Sequence, residues 1–186
     1  KLIREMIMIP RQLYDSDHEM FRDSLRKFLE IEARPNHEQW ESDGMVSDDI
    51  WLKAGEQGFL CPMVPEEYGG VGTDFLYNCI VNEEVSRSGC TGLGWSLHND
   101  ISVPYIVRYG SDYQKKRYLP RCVSGELITA IAMTEPGAGS DLQGTKTTAV
   151  LDGENYILNG SKTFITNGQK AGLVIVVAKT DTSAGS

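Results

Sequence analysis

Apolar positions in the first two thirds of the chain recur at helical spacing. In the segment DSDHEMFRDSLRKFLEIEA, apolar residues from Met20 to Ile31 form one stripe, and Asp15, Ser16 or Asp17 is available to cap its start. Pro35 is predicted to end or bend this helix. Further helices are predicted over residues 47–58, 73–89, 91–110 and 111–126. The helix over residues 91–110 is apolar on almost all sides, and Pro104 is predicted to kink or interrupt it.

After Gly125 the pattern changes to short β-branched and aromatic runs separated by turn signals. The runs TKTTAVL, NYIL and KTFIT precede a continuous apolar strand, LVIVVAK, and Asp152-Gly153 and Asn159-Gly160 predict hairpin turns. The pattern therefore predicts an α+β protein. A helical domain over residues 1–126 precedes the start of an antiparallel β domain over residues 127–186.

The predicted β domain has few strands. Three or four strands leave open edges and half a core. We therefore expect the chain to be a piece of a longer polypeptide, with the rest of the sheet and any later domain outside it.

Composition narrows the class of protein. Hydrophobic residues make up 40% of the chain and charged residues 24%, which is ordinary for a globular protein. The formal net charge is −8 and no basic run stands out, so a nucleic-acid surface is not expected. No apolar run approaches the ~20 residues of a membrane span, and residues 1–10 lack the pattern of a signal peptide. The four cysteines are widely spaced, which favours reduced thiols over a disulfide framework or zinc site.

The stretch MTEPGAGSDLQG, residues 133–144, is unusually rich in glycine and other small residues. A phosphate-binding P-loop is rejected because Thr145 stands between Gly144 and Lys146, and a dinucleotide fingerprint fails because Leu142 occupies the place of its third glycine. Two interpretations stay open on the residues alone. The stretch is either a surface turn or a nest of N–H groups for a phosphate.

A second unusual stretch favours the ligand interpretation. If LITAIAMT and KTFIT are neighbouring strands, the hydroxyls of Thr134 and Thr166 lie beside Phe164 and the glycine-rich loop. An aromatic ring, two hydroxyls and a nest of N–H groups suit a flat heterocycle that carries a pyrophosphate.

Four blocks together resemble the acyl-CoA dehydrogenase family, its long-chain branch above all. They are PEEYGGVG, YGSDYQKKRYLP, AMTEPGAGSDLQG and NGSKTFITNG, which occur in one register and extend the resemblance from about Leu13 to Lys179. The resemblance implies a helical domain, a middle β domain and a C-terminal helical bundle, usually in a homotetramer. It also implies FAD as cofactor, a fatty acyl-CoA as substrate, and electron-transfer flavoprotein as the electron acceptor. The implied compartment is the bacterial cytoplasm or the mitochondrial matrix.

The resemblance assigns the flavin site to two segments. The Thr134 hydroxyl and N–H would bond near flavin N1 and O2, and Thr166 near N5, the hydride acceptor. Gly139 and Ser140 would meet the FAD pyrophosphate, and Ser140 also the pantetheine arm of the substrate. The complete set of expected cofactor-binding residues is Ile131, Met133, Thr134, Gly139, Ser140, Phe164, Ile165 and Thr166.

Other polar residues receive structural roles. Glu135 and Asp141 are expected to hold the loop's shape, since a carboxylate repels a pyrophosphate, and His98 is expected to be a core histidine. The family's catalytic base is a glutamate on a C-terminal helix, so no base is expected within residues 1–186, and this segment alone is expected to be inactive. An acyl-CoA oxidase of the same fold and a non-catalytic binding module remain as alternatives.

Overall fold

The structure is a computed structural model that describes residues 13–181. A helical part comes first and short strands follow, as the sequence predicted. The α-helices are α1 (Ser16–Phe28), α2 (His37–Asp43), α3 (Asp49–Glu56), α4 (Phe75–Ser88), α5 (Val103–Tyr109) and α6 (Asp112–Val123). The strands are β1 (Thr129–Ala132), β2 (Thr148–Asp152), β3 (Asn155–Asn159) and β4 (Leu173–Val176).

Helix α1 begins and ends where local chemistry dictates. The Asp15 carboxylate accepts hydrogen bonds from the backbone N–H groups of Asp17 and His18, which satisfies donors that the first turn leaves unpaired. After Phe28 the helix widens into a π-helical turn and then a 3-10 turn, Arg34–Asn36, which contains Pro35. Regular α-helix is thus interrupted at Pro35, in agreement with the prediction that this residue ends or bends the helix.

Helices α1 and α4 are joined by a buried ion cluster. The Glu84 carboxylate, 1% exposed, lies 3.0 Å from Nη1 of Arg22 and 2.9 Å from Nε of Arg26. Two guanidinium groups supply the hydrogen bonds that a buried carboxylate requires. This pairing fixes the two helices against each other.

The apolar stretch after Gly89 forms the wall against which β1 packs. Leu97–Ser102 is a π-helical turn, and α5 begins at Val103 with Pro104 in its first turn, where a missing N–H is tolerated. His98 is fully buried; its Nε2 donates to the Cys122 carbonyl at 3.0 Å, which leaves Nδ1 to accept from Thr129 of β1. Burial lowers the pKa of His98 to about 4, so it is a neutral core residue, as expected.

All four cysteines are free thiols, and Cys61, Cys90 and Cys122 are buried in the core. Burial raises the pKa of Cys122 to about 12, so its thiol stays protonated and unreactive.

No helix within residues 13–181 is both long and apolar enough to cross a membrane.

The described strands form two small sheets. β2 pairs with β3 in antiparallel fashion, with Asp152 opposite Asn155, so Gly153 is the first of two turn residues. Its φ of 62° is the conformation that glycine supplies there without a steric penalty, and the predicted hairpin is confirmed. β1 pairs with β4 in parallel, with Thr129 opposite Leu173.

Two predictions about this region are wrong. Asn159-Gly160 does not form a hairpin, since β3 pairs with β2 and no described strand follows it before β4. Gly160 instead allows close packing, because a Cβ there would lie 2.2 Å from Thr147 Oγ1. The run KTFIT is not a strand, since Phe164 and Asn167 have positive φ values of 56° and 63°, which break any extended ladder.

Candidate functional site

The candidate site consists of two irregular segments at the end of β1. We call residues 133–144 the glycine loop and residues 161–171 the 161–171 segment. The glycine loop starts with a tight turn in which Glu135 N–H donates to the Ala138 carbonyl at 2.8 Å and Ala138 N–H donates back at 3.1 Å. Pro136 and Gly137 occupy the middle of the turn, where the fixed φ of proline is favourable.

Glu135 organises the base of the glycine loop. Its carboxylate accepts from the backbone N–H of Lys146 at 2.7 Å and of Thr147 at 2.9 Å, and from the Thr147 hydroxyl. Hydrogen bonds from Thr147 and Lys146, together with the Lys162 ammonium, lower the pKa of Glu135 to about 2. The geometry agrees with the expected structural role. Asp141 also acts locally, accepting from Gly144 N–H at 3.3 Å.

Acid is expected to weaken this loop through Glu135. Because the folded-state pKa is lowered from 4.5 to about 2, the stabilisation is complete above about pH 4.5 and is lost as the pH falls towards 2. The difference in Tm between the wild type and Glu135→Gln should therefore shrink across that window. Thermal unfolding followed by circular dichroism measures it, with Glu154→Gln in the exposed hairpin turn as control. A difference that stays constant down to about pH 2 would contradict this role of the carboxylate.

The 161–171 segment lies directly against the glycine loop without being a strand. Thr163 N–H donates to the Thr134 carbonyl at 3.0 Å. Lys162 Nζ donates to the Met133 carbonyl at 2.9 Å and to Glu135 Oε1 at 2.9 Å. The two segments are therefore neighbours, as the sequence predicted, although side-chain bonds and one backbone bond replace the expected ladder.

Asn167 anchors the same segment to the helical part of the molecule. Its Nδ2 donates to the carbonyls of Gly94 at 3.3 Å and Thr129 at 3.2 Å. A Cβ at Gly94 would lie 2.3 Å from Asn167 Oδ1, so only glycine permits this approach. Lys170 Nζ adds an ion pair to Asp48 at 2.5 Å. The turn that carries Thr166 is thus held at both ends.

The 161–171 segment presents an aromatic ring to the outside. Phe164 is 92% exposed and has a φ of 56°, an uncommon conformation for a bulky residue. Ile165 is half-buried and Thr166 is exposed. An exposed ring beside an exposed hydroxyl offers one apolar and one polar contact to a flat ligand.

The glycine loop has room and donors for an anionic ligand. A Cβ at Gly137 or Gly139 would meet nothing within 4 Å, and neither residue has a positive φ, so neither backbone conformation nor packing among residues 13–181 requires glycine there. The N–H groups of Thr134, Gly139 and Ser140 donate to no other described residue. Unpaired main-chain N–H donors next to glycines with open space around them are suited to binding a pyrophosphate and a flavin.

The expected site residues on and just after β1 differ in how deeply they are buried. Ile131 is buried on β1, while Met133 and Thr134 are half-buried just beyond the strand. Sequence reasoning missed Lys162, Asn167 and Thr147, which build the frame. The asparagine before Gly168 offered one signal, because asparagine tolerates a positive φ.

Comparisons with known proteins agree with this architecture. The family described as acyl-CoA dehydrogenase, N-terminal domain, matches residues 15–126, and the middle-domain family matches residues 130–186. The chain is 52% identical over 176 residues to the mitochondrial long-chain specific acyl-CoA dehydrogenase of Sus scrofa, covering 95% of the chain and 41% of that protein.

Solved structures give the same result. An acyl-CoA dehydrogenase from Geobacillus kaustophilus superimposes with a TM-score of 0.91 at 54% identity, over 94% of this chain and 46% of that one. An acyl-CoA dehydrogenase complexed with FAD from Bacillus anthracis has a TM-score of 0.81 at 41% identity, over 90% and 29%. The chain thus spans about two fifths of the length of the curated relative.

Proposed function

We propose a function from the family to which this chain belongs, the acyl-CoA dehydrogenases. The chain supplies part of the FAD and thioester site of an enzyme that converts a fatty acyl-CoA to the trans-2-enoyl-CoA. The observation that carries the proposal is the set of unpaired N–H groups at Thr134, Gly139 and Ser140 beside two glycines with open space. A relative of similar fold is complexed with FAD, which supports FAD as the cofactor.

When bound, FAD supplies the acceptor for the hydride that leaves the substrate β carbon. The Thr134 hydroxyl and N–H would donate to the N1 and O2 side of the ring, where negative charge grows on reduction. Donors that are fixed before the reaction stabilise that charge without reorganisation. The Thr166 hydroxyl is assigned to the N5 side, and Phe164 and Ile165 to the ring's surface.

The substrate is held through the same loop. The N–H groups of Gly139 and Ser140 would donate to the pyrophosphate of the cofactor, and Ser140 would also contact the pantetheine arm of the acyl-CoA. The resemblance to the family assigns removal of the α proton to a glutamate carboxylate of the C-terminal helical bundle. A medium or long acyl chain is proposed because the resemblance and the identity to a long-chain specific relative point the same way.

The electron acceptor and the assembly are proposed from the resemblance to the family. Electron-transfer flavoprotein reoxidises the cofactor, the full-length protein is a homotetramer, and the compartment is the mitochondrial matrix or the bacterial cytoplasm. The relative from Sus scrofa is mitochondrial, which supports the first compartment.

The test uses the full-length protein that contains this chain. It is expected to carry visible flavin absorbance, which bleaches anaerobically on addition of saturated acyl-CoAs, most rapidly with medium or long chains. Reoxidation by electron-transfer flavoprotein and not by oxygen identifies a dehydrogenase. Rapid oxygen consumption would identify an acyl-CoA oxidase, and no flavin after supplementation with FAD would contradict the enzyme and leave a binding module.

A further inference from the structure

We propose that Lys162 is a positioning residue that makes the bound flavin easier to reduce, acting through the Met133–Thr134 peptide. The inference rests on the proposed function, because it assumes that the Thr134 N–H contacts the flavin. It adds a residue, and a way of tuning the flavin's reduction potential, to that site.

The contacts of Lys162 are specific and well shielded. Its Nζ lies 2.9 Å from the Met133 carbonyl oxygen and 2.9 Å from Glu135 Oε1, and its side chain is only 11% exposed. The Glu135 side chain is 6% exposed. A lysine normally keeps its ammonium in water, so this degree of burial against a main-chain carbonyl requires its partners.

The peptide geometry links this ammonium to the cofactor site. The Met133 carbonyl and the Thr134 N–H belong to one planar, conjugated peptide group. A cation that bonds the carbonyl oxygen draws electron density towards it and makes the N–H at the other end a stronger donor, since bonded groups polarise one another in a chain. That N–H has no acceptor among residues 13–181 and is the one assigned to the N1 and O2 side.

The negative charge of Glu135 should affect the flavin's reduction potential in the direction opposite to the positive charge of Lys162. Its carboxylate orients the Lys162 ammonium, but its own negative charge opposes electron arrival at a nearby ring. Removing the positive charge and removing the negative charge should therefore move the flavin potential in opposite directions. Substitutions that only loosen the loop would not be expected to shift the flavin potential in opposite directions.

The experiment measures the two-electron midpoint potential of FAD in the full-length holoenzyme and its variants. Lys162→Met keeps the length of the side chain and removes the charge, and it should lower the equilibrium constant for reduction about tenfold, a shift of about 30 mV to more negative potential. Lys162→Arg should restore most of the wild-type potential. Lys116→Met on α6, an exposed lysine far from the loop in sequence, makes the same charge change and should leave the potential unchanged.

Glu135→Gln supplies the second arm. It should shift the potential to more positive values even though it weakens the loop. Unchanged potentials in both variants, or shifts of the same sign, would overturn the inference; if Lys162→Met holds no FAD, Lys162→Gln, which keeps a polar side chain without the charge, takes its place and should show the same shift to more negative potential. These results leave the proposed function standing, whereas a wild-type protein that binds no FAD overturns the proposed function itself.

Discussion

Replacing Gly139 by valine is expected to weaken the retention of FAD about ten- to hundredfold while leaving the protein folded. A Cβ at this position meets no described atom within 4 Å, and φ is not in the left-handed region, so the free energy of unfolding should change little. The side chain would instead occupy the space assigned to the pyrophosphate. A lost hydrogen bond to a charged group costs ~1.5–3 kcal/mol, which corresponds to that loss of affinity.

FAD titration of the apoprotein, followed by flavin fluorescence, measures the affinity, and urea unfolding measures stability. Gly160→Ala is the matched contrast, because its Cβ would lie 2.2 Å from Thr147 Oγ1. Such overpacking typically costs about 1–3 kcal/mol of unfolding free energy, so this variant should lose stability. Equal FAD affinity in Gly139→Val and the wild type would contradict the assignment of the pyrophosphate-binding site to the glycine loop.

The second large effect is expected at Thr166. Thr166→Val keeps the shape of the side chain and removes the hydroxyl assigned to the N5 side of the flavin. Loss of a charge-related hydrogen bond of ~1.5–3 kcal/mol in the transition state slows flavin reduction by substrate about ten- to hundredfold. The residue is exposed, so stability should be nearly unchanged.

Single-turnover reduction of the full-length holoenzyme by an acyl-CoA, followed by stopped-flow absorbance, measures this rate. Thr180→Val is the control, because Thr180 is also an exposed threonine in the β part of the chain. A reduction rate in Thr166→Val equal to that of the wild type would refute the role given to this hydroxyl.

The helical part of the fold could be predicted because its signals are local. Asp74 caps α4 through its side chain, and Gly89 ends that helix with a φ of 78°, at the two ends of the predicted range 73–89. Ser111 and Gln114 form a reciprocal cap at the start of α6. These interactions join residues a few positions apart, so the sequence alone displays them.

The β part was predicted less well because distant contacts determine it. Asn159-Gly160 carries a strong turn signal, yet Gly160 packs closely against Thr147 and β3 pairs with β2 alone among the described strands. In KTFIT, the propensity for a strand is overridden by the side-chain bonds of Lys162 and Asn167 to Met133, Gly94 and Thr129. Parallel pairing of β1 with β4 likewise joins segments about forty residues apart and has no local signature.

The proximity of the two segments of the site was foreseeable, but their frame was not. The small residues of the glycine loop and the hydroxyls at positions 134 and 166 are visible in the sequence. The role of Lys162 depends on the Met133 carbonyl, 29 positions away, and no propensity encodes that distance. The anchoring of Asn167 on Gly94, 73 positions away, is equally invisible.

An experimental structure of the full-length protein with FAD tests the central claim most directly. The account predicts that pyrophosphate oxygens lie within hydrogen-bond distance of the N–H groups of Gly139 and Ser140, with the flavin ring beside Thr134 and Thr166. FAD bound elsewhere, or a glycine loop whose N–H groups all face solvent in the occupied protein, would contradict it.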